Sequence, residues 1–266
     1  MTKIGVLGLA GRMGKAIMAE ILERPGAHFA GGCDAAEHPN AGQILRDPQS
    51  GADLGLTIGT EPAQIFAAAD VVIDFSSPQA LETHLILAAA NETPMIIGTT
   101  GLAEEHHTLI NEVCQQVAIM QSANTSLGVT LLAKLVHDAA ALLDPSWDIE
   151  VVEMHHRQKT DAPSGTALLF GEKAAEGRHT DSSSFVLSRE GNTGPRKEGD
   201  IGFATLRGGD VAGEHSVIFA AEAERIELTH KASDRKIFAR GAVTAAQWID
   251  GLPAGRYTME DVLGLT

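Results

Sequence analysis

Lys3-Ile-Gly-Val-Leu7-Gly8-Leu-Ala-Gly11-Arg12-Met13-Gly14 is the stretch on which the fold turns. A short apolar run ends in glycines spaced GxxGxxG, and Ile17, Met18, Ile21 and Leu22 then recur at helical spacing until Pro25-Gly26. Strand, glycine turn and helix in that order suit a dinucleotide: the glycines let the backbone approach a pyrophosphate, and the helix N-terminus offers N–H donors and a positive dipole end. Ala10 stands where the common fingerprint has its second glycine, so the turn alone also reads as a corner that packs a helix closely on a sheet. The next strand, about His28 to Cys33, ends in Asp34, where an acidic side chain accepts hydrogen bonds from an adenosine ribose.

Outward from this unit the alternation repeats. Asp70-Val-Val-Ile-Asp74-Phe75-Ser76-Ser77-Pro78 reads as a buried strand and a turn, with a helix to about Ala90. Pro94-Met-Ile-Ile-Gly98-Thr99-Thr100-Gly101 repeats it, with a helix from about Ala103 to Gln116. Val117 to Gln121, followed by Ser122-Ala123-Asn124-Thr125-Ser126, adds a further strand. Short apolar strands alternating with helices imply an α/β, Rossmann-type doubly wound parallel sheet. Ligands on such sheets lie at the carboxyl ends of the strands. Gly8, Gly11, Arg12, Met13, Gly14 and Asp34 are therefore expected on the pyrophosphate and adenosine side of the cofactor. Phe75, Ser76, Gly98, Thr99, Thr100, Ala123, Asn124 and Thr125 are expected at its nicotinamide end. Residues 35 to 60, rich in Gly, Pro, Asn and Asp, read as connecting structure with at most a short strand near Leu54 to Ile58.

A helix from Leu127 to Leu143 ends at Asp144-Pro145, and the style of the sequence then changes. A strand at 148 to 154, a helix near 166 to 176 and a Ser/Gly-rich stretch at 181 to 200 precede three strand-like runs: Ile201 to Arg207, His215 to Ala221 and Arg225 to Thr229. Strands in succession suggest a second, α+β domain with an open antiparallel or mixed sheet. A helix over Asp234 to Asp250, with Ile237, Gly241, Thr244 and Trp248 on one stripe, and a turn at Met259 to Leu265 are expected to return to the first domain. The division is thus 1–126 with 234–266 for dinucleotide binding, and 127–233 for substrate binding and oligomerisation. An open sheet edge has to be covered or paired, so association through the second sheet is expected. Two crossings would form a hinge whose closure keeps water from hydride transfer.

Composition narrows the class. At 266 residues and 44% hydrophobic, the chain can fill one large or two ordinary cores. Its net charge of −15 argues against non-specific binding to nucleic acid or an anionic membrane. Cys33 and Cys114 lie in no ligand or redox motif and read as buried thiols of a reducing compartment. The apolar run from Ile4 to Ala10 is short and glycine-interrupted, and no segment has the roughly 18 uninterrupted apolar residues of a membrane span. A cytoplasmic protein is expected.

The chemistry is expected in Glu153-Met-His155-His156-Arg157-Gln-Lys159-Thr-Asp161-Ala-Pro163-Ser164-Gly165-Thr166, at the end of a strand. Paired histidines with a nearby lysine equip a site to donate a proton beside an anion. Ser or Thr before the apolar run Ala167 to Phe170 marks a helix N-terminus, whose unpaired N–H groups bind carboxylate or phosphate. A solvated polar loop is the plain alternative. Zinc is the other use of paired histidines, but neighbours on an extended chain point to opposite faces, and neither HExxH nor CxxC is present, so no metal is expected.

This signature resembles that of the 4-hydroxy-tetrahydrodipicolinate reductase family, also called dihydrodipicolinate reductases, of lysine and diaminopimelate biosynthesis. The resemblance extends through Asp74-Phe-Ser-Ser-Pro78, Gly98-Thr-Thr-Gly101, Ala123-Asn-Thr-Ser126, Arg207-Gly-Gly-Asp-Val-Ala-Gly-Glu214-His215 and Thr229-His-Lys-Ala-Ser233. It implies NAD(P)H-dependent reduction of a cyclic dicarboxylate, with His155 as proton donor and Lys159 as its partner. It also implies that His156, Lys159, Gly165 and Thr166 hold the carboxylates, and that the protein is a homotetramer. Relatives that use NADPH often carry an arginine just after the acidic residue of the second strand, whereas Ala35 and Ala36 follow Asp34 here, and Ser77 replaces an arginine of some relatives. NADH is therefore expected to be preferred and NADPH to be usable but weaker, with Arg12 as the available counterweight. Another nicotinamide-dependent oxidoreductase of small acids, or a non-catalytic NADH sensor, are the rival readings.

Overall fold

The computed structural model describes residues 1–265. The chain forms two compact units, Met1–Leu127 with Lys236–Thr266, and Gly128–Arg235. In chain order the first unit contains β1 (Thr2–Leu7), α1 (Arg12–Glu23), β2 (Ala27–Cys33), β3 (Ile44–Arg46), β4 (Asp53–Thr57), α2 (Pro62–Ala68), β5 (Val71–Asp74), α3 (Pro78–Ala90), β6 (Met95–Ile97), α4 (Glu104–Val113) and β7 (Ala118–Gln121). The second holds α5 (Leu127–Leu142), β8 (Asp148–His155), α6 (Gly165–Gly177), β9 (Phe185–Val186), β10 (Ile201–Arg207), β11 (Gly213–Ala221) and β12 (Glu224–Ala232). The chain then rejoins the first unit as α7 (Lys236–Ile249), β13 (Gly255–Tyr257) and α8 (Met259–Val262).

The sheet of the first unit runs β13-β7-β6-β5-β1-β2 with every pair parallel. Helices cover both faces, so a strand such as β5 is buried along its whole length and takes apolar residues without alternation. Ile17, Met18 and Ile21 pack with Ala242, Val243 and Ala246 on one face, and Phe66, Leu81, Leu85 and Ile110 fill the other. Strand order reverses at β1, which has β2 on one side and β5 on the other, so a crevice opens at the carboxyl ends of β1 and β5.

Several sequence expectations are corrected here. Residues 35 to 60 hold a two-stranded antiparallel hairpin, β3 with β4, rather than at most one strand. The strand β13 lies where no element was expected, since three residues are too short for a pattern to register and pairing with β7 makes it a strand, and the turn expected from Met259 holds the short helix α8. On α7, only Gly241 of the expected stripe is buried; Ala239, Ala242, Val243, Ala246 and Ile249 form the inner face. Close packing selects small residues there: a Cβ at Gly241 would lie 1.6 Å from the Thr125 carbonyl oxygen.

The second sheet runs β12-β11-β8-β10-β9 and is mixed, with β8 parallel to β10 and antiparallel to β11. Of the three late strands only β11 and β12 are neighbours, because β8 inserts between β10 and β11. One face packs on α5 and α6 through Val136, Ile149, Val151, Phe170, Phe203, Val217 and Phe219. On the opposite face Arg189 and Arg196 pair with Glu150, which ties down the Ser/Gly-rich stretch. Burial alternates along β8, so Ile149, Val151, Glu153 and His155 all point toward the helices.

Candidate active site

The crevice of the first unit starts at the glycine turn. A Cβ on Gly8 would come within 2.5 Å of the Phe75 carbonyl oxygen, and one on Gly14 within 2.3 Å of the Gly8 carbonyl oxygen, so both are demanded by close backbone packing. Gly11 differs, since a Cβ there would meet only the Gly8 carbonyl oxygen, at 3.2 Å. Gly11 is exposed and caps α1 without a side chain, which leaves the helix's first N–H groups accessible to an anion. A cleft of about 480 Å³ is lined by Gly8, Gly11, Asp34, Phe75 and Ser76, together with Ala35, His38, Ser77 and His84. The carboxylate of Asp34 accepts from Ala10 N–H and Ala35 N–H, each at 2.9 Å, which fixes it beside the turn. This set of donors, glycines and one carboxylate fits a nicotinamide dinucleotide.

The other expected cofactor residues stand at the ends of the neighbouring strands and do not line that cleft. Met13 packs on the core, and Arg12 is exposed at the start of α1. Gly98 leaves room for the Phe75 ring, which a Cβ would meet at 2.1 Å. Thr99 is buried with its hydroxyl toward Asp74, and Thr125 donates its hydroxyl to the Phe238 carbonyl; only their backbones can serve a ligand, whereas Thr100 and Ala123 are exposed. The Asn124 side chain accepts from Ser126 N–H. Sequence reasoning missed the hub behind these turns. Asp74, fully buried, accepts from Ser76 N–H at 2.8 Å and Ser76 O–H at 2.5 Å, and its other oxygen lies 2.8 Å from His84 Nδ1. Burial, followed by the charges of Asp34 and Asp74, pushes the Cys33 thiol up to about 12, so it stays protonated beside the cleft.

In the second unit the expected proton donor and anion cradle come together at the end of β8. Glu153, 1% exposed, is the centre. It accepts two parallel bonds from Arg207, at 2.8 and 2.9 Å, and one from Ser164 N–H at 3.1 Å, and its Oε2 lies 2.6 Å from His155 Nδ1. Burial acts to raise the Glu153 pKa, but the bonds from Arg207 and His155 outweigh it and hold the carboxyl below its ordinary range. An ionised carboxylate can only accept, so His155 Nδ1 carries hydrogen and Nε2 is left for chemistry. That edge lies over Gly213, where a Cβ would stand 3.1 Å from Nε2.

Lys159 donates to Asp161 at 2.8 Å and holds its carboxyl below the ordinary range. His155 therefore pairs with Glu153, while Lys159 pairs with Asp161. Ser164 caps α6 by accepting from Ala167 N–H at 3.2 Å, so Gly165 and Thr166 form the first turn, with Gly165 exposed. His156 donates its backbone N–H to Val211 and keeps a half-buried side chain. Ser164 lies in the stretch read from sequence as the helix N-terminus, whereas Arg207 and His215 were given no role in this constellation. The available signal was the period of two in β8, which aligns Glu153 with Ile149 and Val151 on the core face. Among the described residues no group of acidic, His or Cys side chains has a metal-binding arrangement, and no helix is long and apolar enough to cross a membrane.

Comparison with known proteins covers both units. The dihydrodipicolinate reductase N-terminus family model matches residues 2–125, and the C-terminus model matches residues 128–263. The 4-hydroxy-tetrahydrodipicolinate reductase of Methylocella silvestris is 49% identical over 264 residues, covering 99% of this chain and 97% of that protein. The enzyme of that name from Zymomonas mobilis subsp. mobilis is also 49% identical, with the same coverage. Among solved structures, a dipicolinate-bound dihydrodipicolinate reductase from Paenisporosarcina sp. TG-14 aligns with a TM-score of 0.77 at 22% identity, covering 97% of each chain. An amine dehydrogenase from Mycobacterium smegmatis aligns at 0.64 and 12% identity, over 97% of this chain and 95% of that one. Likeness at these identities concerns the fold, which serves more than one reaction.

Proposed function

The chain belongs to the dihydrodipicolinate reductase family, and from that premise we propose how its residues carry out the nicotinamide-dependent reduction of 4-hydroxy-tetrahydrodipicolinate to tetrahydrodipicolinate, a step of lysine and diaminopimelate biosynthesis. A bound nicotinamide supplies the hydride. The backbone turns at Gly8 to Gly14, Phe75–Ser76, Gly98 to Thr100 and Ala123 to Thr125 hold the dinucleotide, with Asp34 on its ribose. His155, aligned by Glu153, delivers a proton from Nε2 of its imidazolium form to the ring atom left electron-rich by reduction, and the substrate's 4-hydroxyl leaves as water, so hydride and proton taken up are balanced by water released. Lys159 is the second proton source and, with His156 and the first turn of α6 at Gly165 and Thr166, binds the carboxylates. The observation that carries this reading is the ionised Glu153, which orients an acid-base histidine and the cap of an anion-binding helix together.

Competition by a planar pyridine-2,6-dicarboxylate tests the cradle. It should inhibit against substrate, with monocarboxylate analogues much weaker, and Thr166→Val should raise its inhibition constant about 5-fold or more. Equal inhibition by monocarboxylates would place the cradle elsewhere.

The cofactor we assign is NADH, with NADPH used more weakly. Asp34 is held with its charge at the ribose edge and repels a 2′-phosphate, and the residues after it, Ala35 and Ala36, bring no cation. The kcat/KM ratio should favour NADH about 10-fold or more. Asp34→Ala should narrow the ratio, and adding Ala35→Arg should narrow it further. An unmodified protein that uses NADPH equally well would hand control of the site to Arg12 or His38.

A cytoplasmic homotetramer, associated through the second sheet, is the state we assign. Support comes from the uncovered face of that sheet, where Leu206 is exposed in line with the half-buried Met154, and from the free, buried state of Cys33 and Cys114.

A further inference from the structure

His215 occupies a place that the alternation of β11 reserves for the core, in line with Val217 and Phe219, and it is 4% exposed. It lies opposite Glu153 in the sheet. Its Nε2 is 2.9 Å from Ser164 Oγ, the atom that caps α6. Its Nδ1 is buried without a hydrogen-bond partner. The ring stands edge-on to His155, with centroids 5.0 Å apart at 74°, and to Phe170 at 5.8 Å and 83°. An apolar residue would fill the site without leaving a polar nitrogen unsatisfied, so the imidazole reduces stability unless its one bond serves another purpose.

We propose that His215 is a positioning residue of the substrate site: it fixes the Ser164 cap, and with it the first turn of α6, while packing the His155 ring in place. His215 Nε2 shares one hydrogen bond with Ser164 Oγ, which also accepts from Ala167 N–H, while Ser164 N–H goes to Glu153. Three bonds set the position of the cap. Burial, reinforced by the positive charge His155 acquires, lowers the His215 pKa to about 4, so the ring stays neutral and adds no second cation against His155. Removing the bond should loosen the carboxylate cradle without touching the first unit.

This inference rests on the cradle assigned above, and the full-length chain tests both. His215→Phe keeps the volume and loses the bond; His215→Gln keeps an amide N–H near the Nε2 position. The inhibition constant of pyridine-2,6-dicarboxylate and the substrate KM should rise about 10-fold in His215→Phe, with NADH affinity unchanged within about 2-fold. His215→Gln should recover most of the loss, and Ser164→Ala should add little in the His215→Phe background. Dicarboxylate binding at the unmodified level in His215→Phe, equal losses in Phe and Gln, or additive losses with Ser164→Ala would each overturn the assignment. If His215→Phe fails to bind NADH and so has not folded, the contrast between Ser164→Ala, expected weak, and His215→Gln, expected near normal, decides. An unmodified protein that does not distinguish dicarboxylates from monocarboxylates overturns the cradle and this inference together, whereas discrimination that survives His215→Phe and Ser164→Ala overturns this inference alone.

Discussion

His155→Gln binds NADH as the unmodified protein does and turns over about 10²-fold more slowly or worse, and Lys159→Ala loses at least as much in kcat/KM. The glutamine amide can still hydrogen-bond Glu153 and fill the space over Gly213, but it has no proton to give at the Nε2 position. Its loss should therefore fall on kcat with KM near normal. Lys159, 21% exposed at its side chain and paired with the more exposed Asp161, is a fixed positive charge beside the α6 N-terminus. On the proposed mechanism its removal takes away both a proton source and a carboxylate partner, so KM should rise as kcat falls. Steady-state NADH oxidation with freshly prepared substrate gives the split, and fluorescence titration gives the NADH dissociation constant. Near-normal turnover in both variants would remove the pair from the mechanism.

Glu153→Ala should unfold about 3–5 kcal/mol more easily and lose activity about 10²-fold or more, because one carboxylate serves four donors. Truncation leaves the Arg207 guanidinium without its bidentate partner, Ser164 N–H without an acceptor, and His155 free to rotate. Glu153→Gln should lose less stability, since an amide keeps one acceptor oxygen for Arg207 and Ser164. The pH dependence has a definite sign. The folded-state pKa of Glu153 is depressed, so its contribution is fully present above the unfolded value of about 4.3 and is lost as pH falls through the folded value. Urea unfolding across the acid range should accordingly show a steeper loss of stability in the unmodified protein than in Glu153→Gln. A Glu153→Ala midpoint corresponding to less than about 1 kcal/mol of loss would mean that Arg207 and Ser164 find other partners.

Much of the fold was legible because its signals are local. Buried parallel strands are apolar along their whole length, as in Val71-Val-Ile-Asp74, and the glycine turn sits between a strand and a helix within twelve or so residues of sequence. The reductase signature could be read for the same reason, since Glu153 to Thr166 is one continuous stretch. What failed was non-local. Nothing in the run from Ile201 to Arg207 says that it pairs with β8 rather than β11, and β13 is too short to show a pattern. The buried face of α7 was misread because small residues, not large ones, mark its contact.

The sequence by itself determined the α/β class, the strand ends at which the glycine turns and the charged side chains of the candidate sites lie, and the chemical kinds of those groups. Those properties depend on residue type and on periods of 2 and 3.6, which any stretch carries with it. Only the tertiary structure decided the roles within each site. Asp74 takes His84 from ten residues away, and Glu153 takes Ser164 from eleven and Arg207 from 54, so which side chain satisfies which buried charge depends on strand register and helix placement. A buried carboxylate must be paired wherever the chain can bring a donor, and in both units the fold, rather than the spacing along the chain, selects that donor.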